Sequence, residues 1–507
     1  MSGNRVEPTT TESDSRGARD MKVQVNIAVV ILVVTLVASV SYAQQAGPDD
    51  FQRGLKLYEA GDLQGAEAAF QAALGLAPGD PVVLAWCGTV SLQLGKPEQA
   101  IQYLEQAADR SEESHVIYNN LGNAYAEVGK FEQAEQSYRR ALEITPNYFD
   151  AHYNLANLMA RQGKLMVAFN EYNRALAINP NDPDAHINFG YTLQRAGETA
   201  KAIREYEAAR KLQPQNAAVL NTLGSLYLQS GNNQAAAEVY QAALAVDANL
   251  ANAHLGLGTA LYNLQRYAEA VSHLQQAAEA APDDIVAQYN LGLALAAQQQ
   301  YEQAEAAYKR ALGIEAGNVN CLINLGWVQF QQGKYEEAST TFRDAVKRQP
   351  QREIAHLNLA WSLAKAGKDA EALAQWQAAA KRFPNSPAAH LGLANAYYDG
   401  GKKSQALAEY LKVLKLDPGN AEAHNNIGLI FLDRQDVTEA IVHFKAALKS
   451  DPQYVYAINN LGAAYQRQGK VDEARQQYQR ALQIDPNYQP AQDNLNRLQS
   501  QEQSEPG

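Results

Sequence analysis

Residues 121–148 read LGNAYAEVGKFEQAEQSYRRALEITPNY, and residues 461–488 read LGAAYQRQGKVDEARQQYQRALQIDPNY. The two segments start 340 residues apart (461 minus 121), which is ten times 34. A ruler of 34 residues laid from Gly47 fits thirteen windows without insertion or deletion and ends at Tyr488. Such a fixed period predicts an array of identical supersecondary units stacked on one another.

Five positions in the 34-residue window carry the pattern. Position 8 is Gly or Ala, position 20 is always Ala, position 24 is Leu or aromatic, position 15 is mostly Gly, and position 32 is Pro in ten of thirteen windows. Small residues at positions 8 and 20 let two helices approach closely where they cross. Gly suits a helix C-terminus, and Pro stops a helix because it has no N–H to donate. Each window is therefore predicted to be helix A, a tight turn, helix B and a second turn.

These residues resemble the tetratricopeptide repeat family, and the resemblance covers residues 47–488. It implies an all-α fold, a right-handed superhelical solenoid of thirteen 34-residue helical hairpins, with helix A on the concave side and helix B outside. Residues 489–507 carry Leu495 and Leu498 at helical spacing. This segment is predicted to be a C-terminal capping helix with a frayed tail.

The segment before the repeats has a different character. Residues 1–20 mix polar and charged residues without an apolar period, and are predicted to be disordered. Residues 21–43 begin with Met-Lys, continue as an apolar run and end in small residues, which predicts a secretory signal peptide cleaved after Ala43. The stretch 23–43 is long enough for an uncleaved signal-anchor, which stays open as the alternative. A 20-residue prefix is unusual before a signal peptide, so Met21 is a candidate for the true start of translation.

Composition and motifs exclude several classes of function. The chain has 43 Lys and Arg against 55 Asp and Glu, a formal net charge of -12, which argues against a nucleic-acid partner. Cys87 and Cys321 lie about seven repeats apart, too far for a disulfide, and are predicted to be small core residues. The recurrent Gly-Lys dipeptide is never followed by Ser or Thr, so it is not a phosphate loop. The sequence thus predicts no enzyme, no small-molecule cofactor and no metal.

Six histidines occupy position 4 of their windows. They are His152, His186, His254, His356, His390 and His424. A metal ladder would need ligands about 2 Å from each ion, whereas packed helices lie ~8–10 Å apart. Successive position-4 histidines therefore cannot share an ion, and we expect them to be packing residues.

Positions 2, 5, 6, 9, 12 and 13 lie on the side of helix A opposite to positions 4, 7, 8 and 11, and are predicted to line an open groove. Position 6 is Asn in eight windows: Asn120, Asn154, Asn188, Asn290, Asn324, Asn358, Asn426 and Asn460. Asn is a poor helix former, and its amide matches a peptide backbone without reading its sequence. The ladder is similar to the one in the repeat domain of O-linked N-acetylglucosamine transferases, where asparagines hold the main chain of an extended polypeptide. The alternative is that each Asn satisfies a neighbouring helix end. Five windows interrupt the ladder, at Gln52, Trp86, Thr222, Gly256 and Gly392.

Aromatic residues cluster on the same stripe in the seventh to eleventh windows. They are Tyr262, Tyr289, Trp327, Phe330, Trp361 and Tyr398. Trp and Tyr are favoured anchors of protein interfaces, and packing between repeats is the alternative. Arg161 and Arg195 are nearly the only basic residues of the stripe, so a ligand with a terminal carboxylate is not supported.

Together these features predict an extracytoplasmic scaffold or adaptor, periplasmic or secreted, that binds an extended polypeptide or a partner protein in its concave groove. One alternative is a membrane-tethered assembly factor for envelope or polysaccharide-export machinery, associated with the inner membrane through residues 23–43 and with its repeats outside the cytoplasm. The other is a non-catalytic arm that recruits substrates for a separately encoded glycosyltransferase.

Overall fold

The computed structural model describes residues 48–504, which form 27 α-helices and no strand. The predictions for residues 1–20 and 21–43 lie outside this range, as do the last three residues. The described chain divides into two compact units, at residues 48–280 and 281–504. In the N-terminal unit the helices are α1 (Pro48–Glu59), α2 (Leu63–Leu76), α3 (Pro81–Gln93), α4 (Pro97–Ala108), α5 (His115–Glu127), α6 (Phe131–Ile144), α7 (Phe149–Arg161), α8 (Leu165–Ile178), α9 (Pro183–Arg195), α10 (Thr199–Leu212), α11 (Ala217–Gln229), α12 (Asn233–Val246), α13 (Ala251–Asn263) and α14 (Tyr267–Ala280).

The C-terminal unit continues the same alternation. Its helices are α15 (Ile285–Ala297), α16 (Tyr301–Ile314), α17 (Val319–Gln331), α18 (Tyr335–Arg348), α19 (Glu353–Lys365), α20 (Asp369–Arg382), α21 (Pro387–Asp399), α22 (Lys403–Leu416), α23 (Ala421–Asp433), α24 (Val437–Ser450), α25 (Val455–Arg467), α26 (Val471–Ile484) and α27 (Gln489–Ser504). Within each unit every helix packs on the next, and most successive A helices also touch. The predicted all-α array of helical hairpins is confirmed.

The core of each hairpin forms around positions 8, 20 and 24. The position-20 alanine is buried in every window, as are the position-24 side chains. A Cβ atom on Gly122, at position 8, would lie 2.5 Å from the ring of Tyr138, at position 24. Position 8 is therefore small mainly because the position-24 side chain lies directly over it. From the sequence alone, the small residue was explained only by the close approach of two helices.

The turn inside each hairpin needs a left-handed residue at position 15. Gly129 has φ of 75°, and its neighbour Lys130 donates its N–H to Tyr125 O at 2.8 Å. Only glycine adopts this conformation without a steric penalty from Cβ. Gln265, Gln299 and Gln435 take the same conformation in the three windows that lack the glycine.

Among residues 48–504 the last helix is α27, and its residues stand at the positions of an A helix. Counting on from Tyr488, Asn494 stands at position 6 of a fourteenth window, and its Nδ2 donates to Asn459 Oδ1 at 3.0 Å. Leu495 and Leu498 are buried against Tyr478 of α26. The helix thus covers the final hairpin with the inter-repeat contacts that any other A helix makes.

Candidate functional site

The candidate site is the surface formed by positions 2, 5, 6, 9, 12 and 13 of the A helices within one unit, called here the A-helix face. Four of its position-6 asparagines reach back to position 5 of the preceding window, and Asn120 and Asn426 reach back to position 9. In the N-terminal unit, Asn154 Nδ2 donates to Asn119 Oδ1 at 3.1 Å, and Asn188 Nδ2 donates to Tyr153 Oη at 2.5 Å. These bonds join successive A helices along the face.

The C-terminal unit repeats the same bond. Asn324 Nδ2 donates to Tyr289 Oη at 2.9 Å, and Asn460 Nδ2 donates to Asn425 Oδ1 at 2.9 Å. The amides therefore connect repeats through neighbouring side chains of the A helices, and not through helix ends. Asn290 and Asn324 are buried, at 3% and 2% exposure, which leaves little of them for a ligand. The other six position-6 asparagines are half-buried: Asn120, Asn154, Asn188, Asn358, Asn426 and Asn460.

Two interruptions of the Asn ladder have a steric cause. A Cβ atom on Gly256 would lie 2.1 Å from the ring of Tyr240, and one on Gly392 would lie 2.3 Å from the ring of Trp376. In both cases the position-24 ring of the preceding window extends under position 6. No side chain fits there unless the ring moves, so glycine replaces asparagine.

A second set of asparagines, at position 9, holds the buried position-24 tyrosines. Tyr138 Oη donates to Asn123 Oδ1 at 2.7 Å, and Tyr172 Oη donates to Asn157 Oδ1 at 2.6 Å. Sequence reasoning missed this pairing. The signal was present, because Asn at position 9 and Tyr at position 24 occur together in these windows.

Four of the six predicted aromatic residues lie on three successive A helices of the C-terminal unit. Trp327, Phe330, Trp361 and Tyr398, on α17, α19 and α21, are half-buried and form what we call the aromatic patch. Tyr289 is 3% exposed and lies below this surface. Tyr262 belongs to the N-terminal unit, where its ring packs on Tyr267 at 5.5 Å.

Other rings pack against the aromatic patch. Trp361 meets Trp376 edge-on, with ring centroids 5.5 Å apart and an interplanar angle of 89°. Trp327 meets Tyr301 edge-on at 5.8 Å, and Phe330 meets Tyr335 at 5.1 Å. Edge-on pairs of this kind are favoured by the ring quadrupoles, so they hold the patch in one arrangement.

Carboxylates border one end of the aromatic patch. Burial and the charge of Asp433, with a smaller effect of Asp399, raise the pKa of Tyr398. Lys403 Nζ forms an ion pair with Asp433 at 2.7 Å. Both carboxylates are exposed, so this edge of the patch is polar and solvated.

The position-4 histidines lie in the packing between repeats, as expected. His152 Nδ1 faces Glu171 Oε2 at 2.6 Å, and its Nε2 faces Pro146 O of the preceding turn at 2.9 Å. The partner at position 23 is Glu in three windows, Gln in one and a second histidine in two. Each position-4 histidine thus joins helix B of its own hairpin to the turn before it.

Residues 48–504 contain few side chains arranged for metal binding or for nucleophilic catalysis. Between residues 48 and 504, no cluster of three or more His, Cys, Asp or Glu side chains has the arrangement of a metal site. Cys87 and Cys321 are buried free thiols, and burial raises the pKa of each to about 12, so neither is a reactive thiolate at neutral pH. In the same part of the chain, no helix combines the length and apolar character that crossing a membrane requires.

Models of the tetratricopeptide repeat (TPR) match the chain almost throughout. The matched segments are residues 57–121, 122–163, 160–197, 187–251, 222–285, 255–319, 323–387, 370–421, 391–455 and 455–488. The chain belongs to the tetratricopeptide repeat family. Its repeats make it a protein-interaction scaffold with protein or peptide partners, on a fold that is generally non-catalytic.

Solved structures with related helical repeats are similar only at low identity. Yeast Tom70 is 17% identical over 83% of this chain and 95% of that chain, with a TM-score of 0.40. The APC/C hetero-tetramer Cut9-Hcn1 is 12% identical over 92% and 99%, with a TM-score of 0.39. YrrB, described as a TPR protein with an unusual peptide-binding site, is 23% identical over 36% and 95%, with a TM-score of 0.34. These scores are too low for functional inference. No curated protein matches the sequence.

Proposed function

We propose that this TPR protein is an extracytoplasmic adaptor that binds an extended polypeptide, or an extended segment of a partner protein, on the A-helix face of its C-terminal unit. The aromatic patch is the observation that carries the proposal. Trp327, Phe330 and Trp361 each keep part of their ring exposed on neighbouring A helices. Large half-exposed aromatic rings at the centre of a surface are typical anchors of protein interfaces.

The ring–ring contacts of the patch favour tight binding. Edge-on contacts from Tyr301, Tyr335 and Trp376 already fix the exposed rings in the free protein. A ligand therefore does not have to order these side chains when it binds, which removes ~0.5–1.5 kcal/mol of cost for each.

Amide groups extend the face toward the C-terminus. Asn426 and Asn460 are half-buried on α23 and α25, the A helices that follow the patch. Asn426 Nδ2 donates to both Asn395 Oδ1 and Tyr410 Oη, so its N–H groups are used inside the protein. Asn460 Nδ2 makes one such bond, to Asn425 Oδ1, while an amide offers two N–H donors. The remaining N–H of Asn460 suits the main chain of an extended segment whose apolar side chains contact the patch.

The extracytoplasmic location rests on the leader pattern of residues 21–43. Sequencing the N-terminus of the mature protein tests it. A mature chain that begins at Gln44 and is released by osmotic shock supports a soluble adaptor. A chain that keeps residues 23–43 and sediments with membranes supports instead the membrane-tethered assembly factor.

Affinity capture tests the binding proposal. The full chain serves as bait in envelope extract, beside a Trp327→Ala, Trp361→Ala variant whose circular dichroism and thermal midpoint establish that it folds. The control is Met166→Ala, Val442→Ala, which removes two exposed apolar side chains from B helices. The wild type and the control should retain a defined partner that the patch variant loses.

A conservative variant shows whether the Ala variant loses its partner because ligand contacts are missing or because the patch is no longer packed. Trp327→Phe, Trp361→Phe keeps apolar rings at both positions, and should recover most of the retained partner. Retention of the same partner by the folded Ala variant would show that the patch is not the binding site.

A further inference from the structure

Three tyrosines contact one another where the A helices α25 and α27 begin. Tyr454 and Tyr456 stand at the start of α25, and Tyr488 directly precedes α27. The ring centroid of Tyr456 lies 5.5 Å from that of Tyr454 and 5.6 Å from that of Tyr488, which it meets edge-on at 81°. Tyr456 is thus held between two half-buried rings, and we call the three residues the tyrosine cluster.

Tyr456 is the exposed member of the tyrosine cluster. It is 56% exposed, and among the side chains described in residues 48–500 no other Tyr, Trp or Phe is as exposed. It stands at position 2 of its window, which is one of the positions of the A-helix face. Asn460 follows four residues later on the same helix, so the two side chains share one side of α25. The cluster therefore lies on the surface to which the proposed ligand binds.

Helix stability does not explain the tyrosine at position 34 of the twelfth window. In the two preceding windows, Ser386 and Asn420 occupy this position and accept hydrogen bonds from Ala389 N and Ala423 N, each at 3.0 Å. Tyr454 makes no such bond to α25. Small polar residues are the preferred N-caps of helices, so Tyr454 forgoes a stabilising cap. We attribute its presence to the contact with the ring of Tyr456.

Carboxylates lie around the tyrosine cluster. Glu422 is exposed at position 2 of α23, the same position that Tyr456 occupies on the next A helix. Burial, and then the charge of Glu422, raises the pKa of Tyr454 to about 12, and the charge of Asp451 adds to this effect. Asn395 Nδ2 donates to Glu422 Oε1 at 2.9 Å, which orients the carboxylate, while its two oxygens have capacity for further donors.

The third ring of the cluster also has a carboxylate beside it. Burial, and then the neighbouring Tyr456, raises the pKa of Tyr488, and the charge of Asp485 contributes to the same shift. Arg480 contacts the turn before α25 from the B helix α26, where its Nη2 donates to Pro452 O at 2.6 Å. The A-helix face thus presents an exposed π system next to negative charges. Both features attract a cation.

We propose that the tyrosine cluster and Glu422 bind a lysine or arginine side chain of the extended polypeptide. The cationic group lies against the exposed ring of Tyr456, within the ~6 Å of its centroid at which a cation is attracted to an aromatic face. Glu422 forms an ion pair with the same group. This inference rests on the proposed function and adds a basic residue to the description of the ligand.

The helix spacing predicts where this basic residue stands in the ligand. Tyr398 of the aromatic patch lies on α21, and one A helix, α23, separates it from Tyr456 on α25. Two steps between helices of ~8–10 Å, and ten residues along the helix (position 12 minus position 2) at ~1.5 Å each, give a diagonal of about 22–25 Å. An extended chain advances ~3.3–3.6 Å per residue. Lys or Arg should therefore stand about six to eight residues from the side chain that contacts Tyr398.

Peptide selection on the full chain tests the inference. The probe is a phage-displayed library of random peptides long enough to span α17 to α25. The wild type should select peptides with an apolar residue and, about six to eight residues away, Lys or Arg. Tyr456→Leu keeps an apolar side chain but removes the ring, so it should still select the apolar residue and lose the preference for the base. The Trp327→Ala, Trp361→Ala variant should select neither.

One selected peptide, synthesised with its basic residue and with Gln in its place, gives the magnitude. The change to Gln should weaken binding to the wild type about 2- to 5-fold, the factor of an exposed cation–π contact, and should have no effect on binding to Tyr456→Leu. Tyr456→Phe keeps the π system and should bind like the wild type. Glu422→Gln should weaken binding of the basic peptide alone, and more strongly at low salt. Glu473→Gln removes an exposed carboxylate from the B helix α26 and is the matched control without effect.

The outcomes separate this inference from the proposed function. Peptides that require Trp327 and Trp361 but show no enrichment of Lys or Arg, or a Tyr456→Leu variant that keeps the preference for the base, would overturn the cation site and leave the proposed function standing. A wild type that selects no peptide, or only peptides that the folded Trp327→Ala, Trp361→Ala variant binds equally well, would overturn both.

Discussion

Tyr172 and Tyr206 provide a direct comparison of a hydrogen-bonded buried hydroxyl with one that has no partner. Both stand at position 24, in successive windows, and both are buried, at 1% and 0% exposure. Tyr172 Oη donates to Asn157 Oδ1 at 2.6 Å. The hydroxyl of Tyr206 has no hydrogen-bond partner among residues 48–504, since Tyr191 replaces the position-9 asparagine of its window.

The two substitutions to Phe should therefore differ in their effect on stability. Tyr172→Phe keeps the ring but leaves the Asn157 carbonyl oxygen, on a residue only 8% exposed, without this donor. Leaving a buried acceptor unsatisfied costs ~1–3 kcal/mol. Tyr206→Phe removes a hydroxyl that is buried without compensation, so we expect no loss of stability and a gain of up to about 1 kcal/mol.

Hydrogen exchange of the full chain measures this difference locally. Long repeat arrays do not unfold in one all-or-none step, so a global midpoint would average the effect. A loss of ~1–3 kcal/mol corresponds to exchange about 5–150 times faster in the helices around the substitution. Amides of α7 and α8 should exchange faster in Tyr172→Phe, and those of α9 and α10 should not in Tyr206→Phe. Equal acceleration in both variants would refute the assignment of the hydrogen bond as the cause.

Two further predictions follow from the packing. Gly392→Asn, which would continue the Asn ladder, places a Cβ atom 2.3 Å from the ring of Trp376 and should destabilise the surrounding hairpins by ~1–3 kcal/mol. Hydrogen exchange of α20 and α21 should be about 5–150 times faster, and unchanged exchange would contradict the steric explanation. The hydrogen bond to Glu205 raises the pKa of His186, so the stability from this pair is present below the ordinary imidazole pKa and is lost as pH rises through the raised value. His186→Gln should therefore lower the thermal midpoint near pH 5.5 and have little effect near pH 9, and an equal loss at both pH values would show that the charge of His186 does not contribute.

Much of the fold was predictable from the sequence because each window is a local unit. Gly, Ala and Pro at fixed positions set the turns and the close contacts of a hairpin within 34 residues, so that thirteen hairpins and the α27 cap follow from the pattern. The position-4 histidines were likewise correctly expected in the packing. Their partners were not predicted, because His273 and His443 stand 19 residues away on a different helix.

The candidate site was only partly predictable for a related reason. Helical periodicity placed Asn324 and Tyr289 on the same stripe as Trp327, but it could not tell a side chain at the surface from one below it. In the structure, Asn324 and Tyr289 bond to each other and are buried, whereas Trp327 stays half-exposed. The burial of each side chain on this stripe depends on how closely the next repeat packs against it. The 34 residues of one window do not determine that distance.

The sequence by itself determined the repeat, its helices and its membership of an interaction-scaffold family, because these depend on residues within one turn or one hairpin of each other. Only the tertiary structure decided how side chains are used between helices: the amides of Asn154 and Asn460 as links between repeats, the glycine of Gly392 as space for a ring, and His254 as one half of an imidazole pair. Each of these roles requires two atoms within ~4 Å that are 15 to 35 residues apart in the chain, and such distances are set by packing.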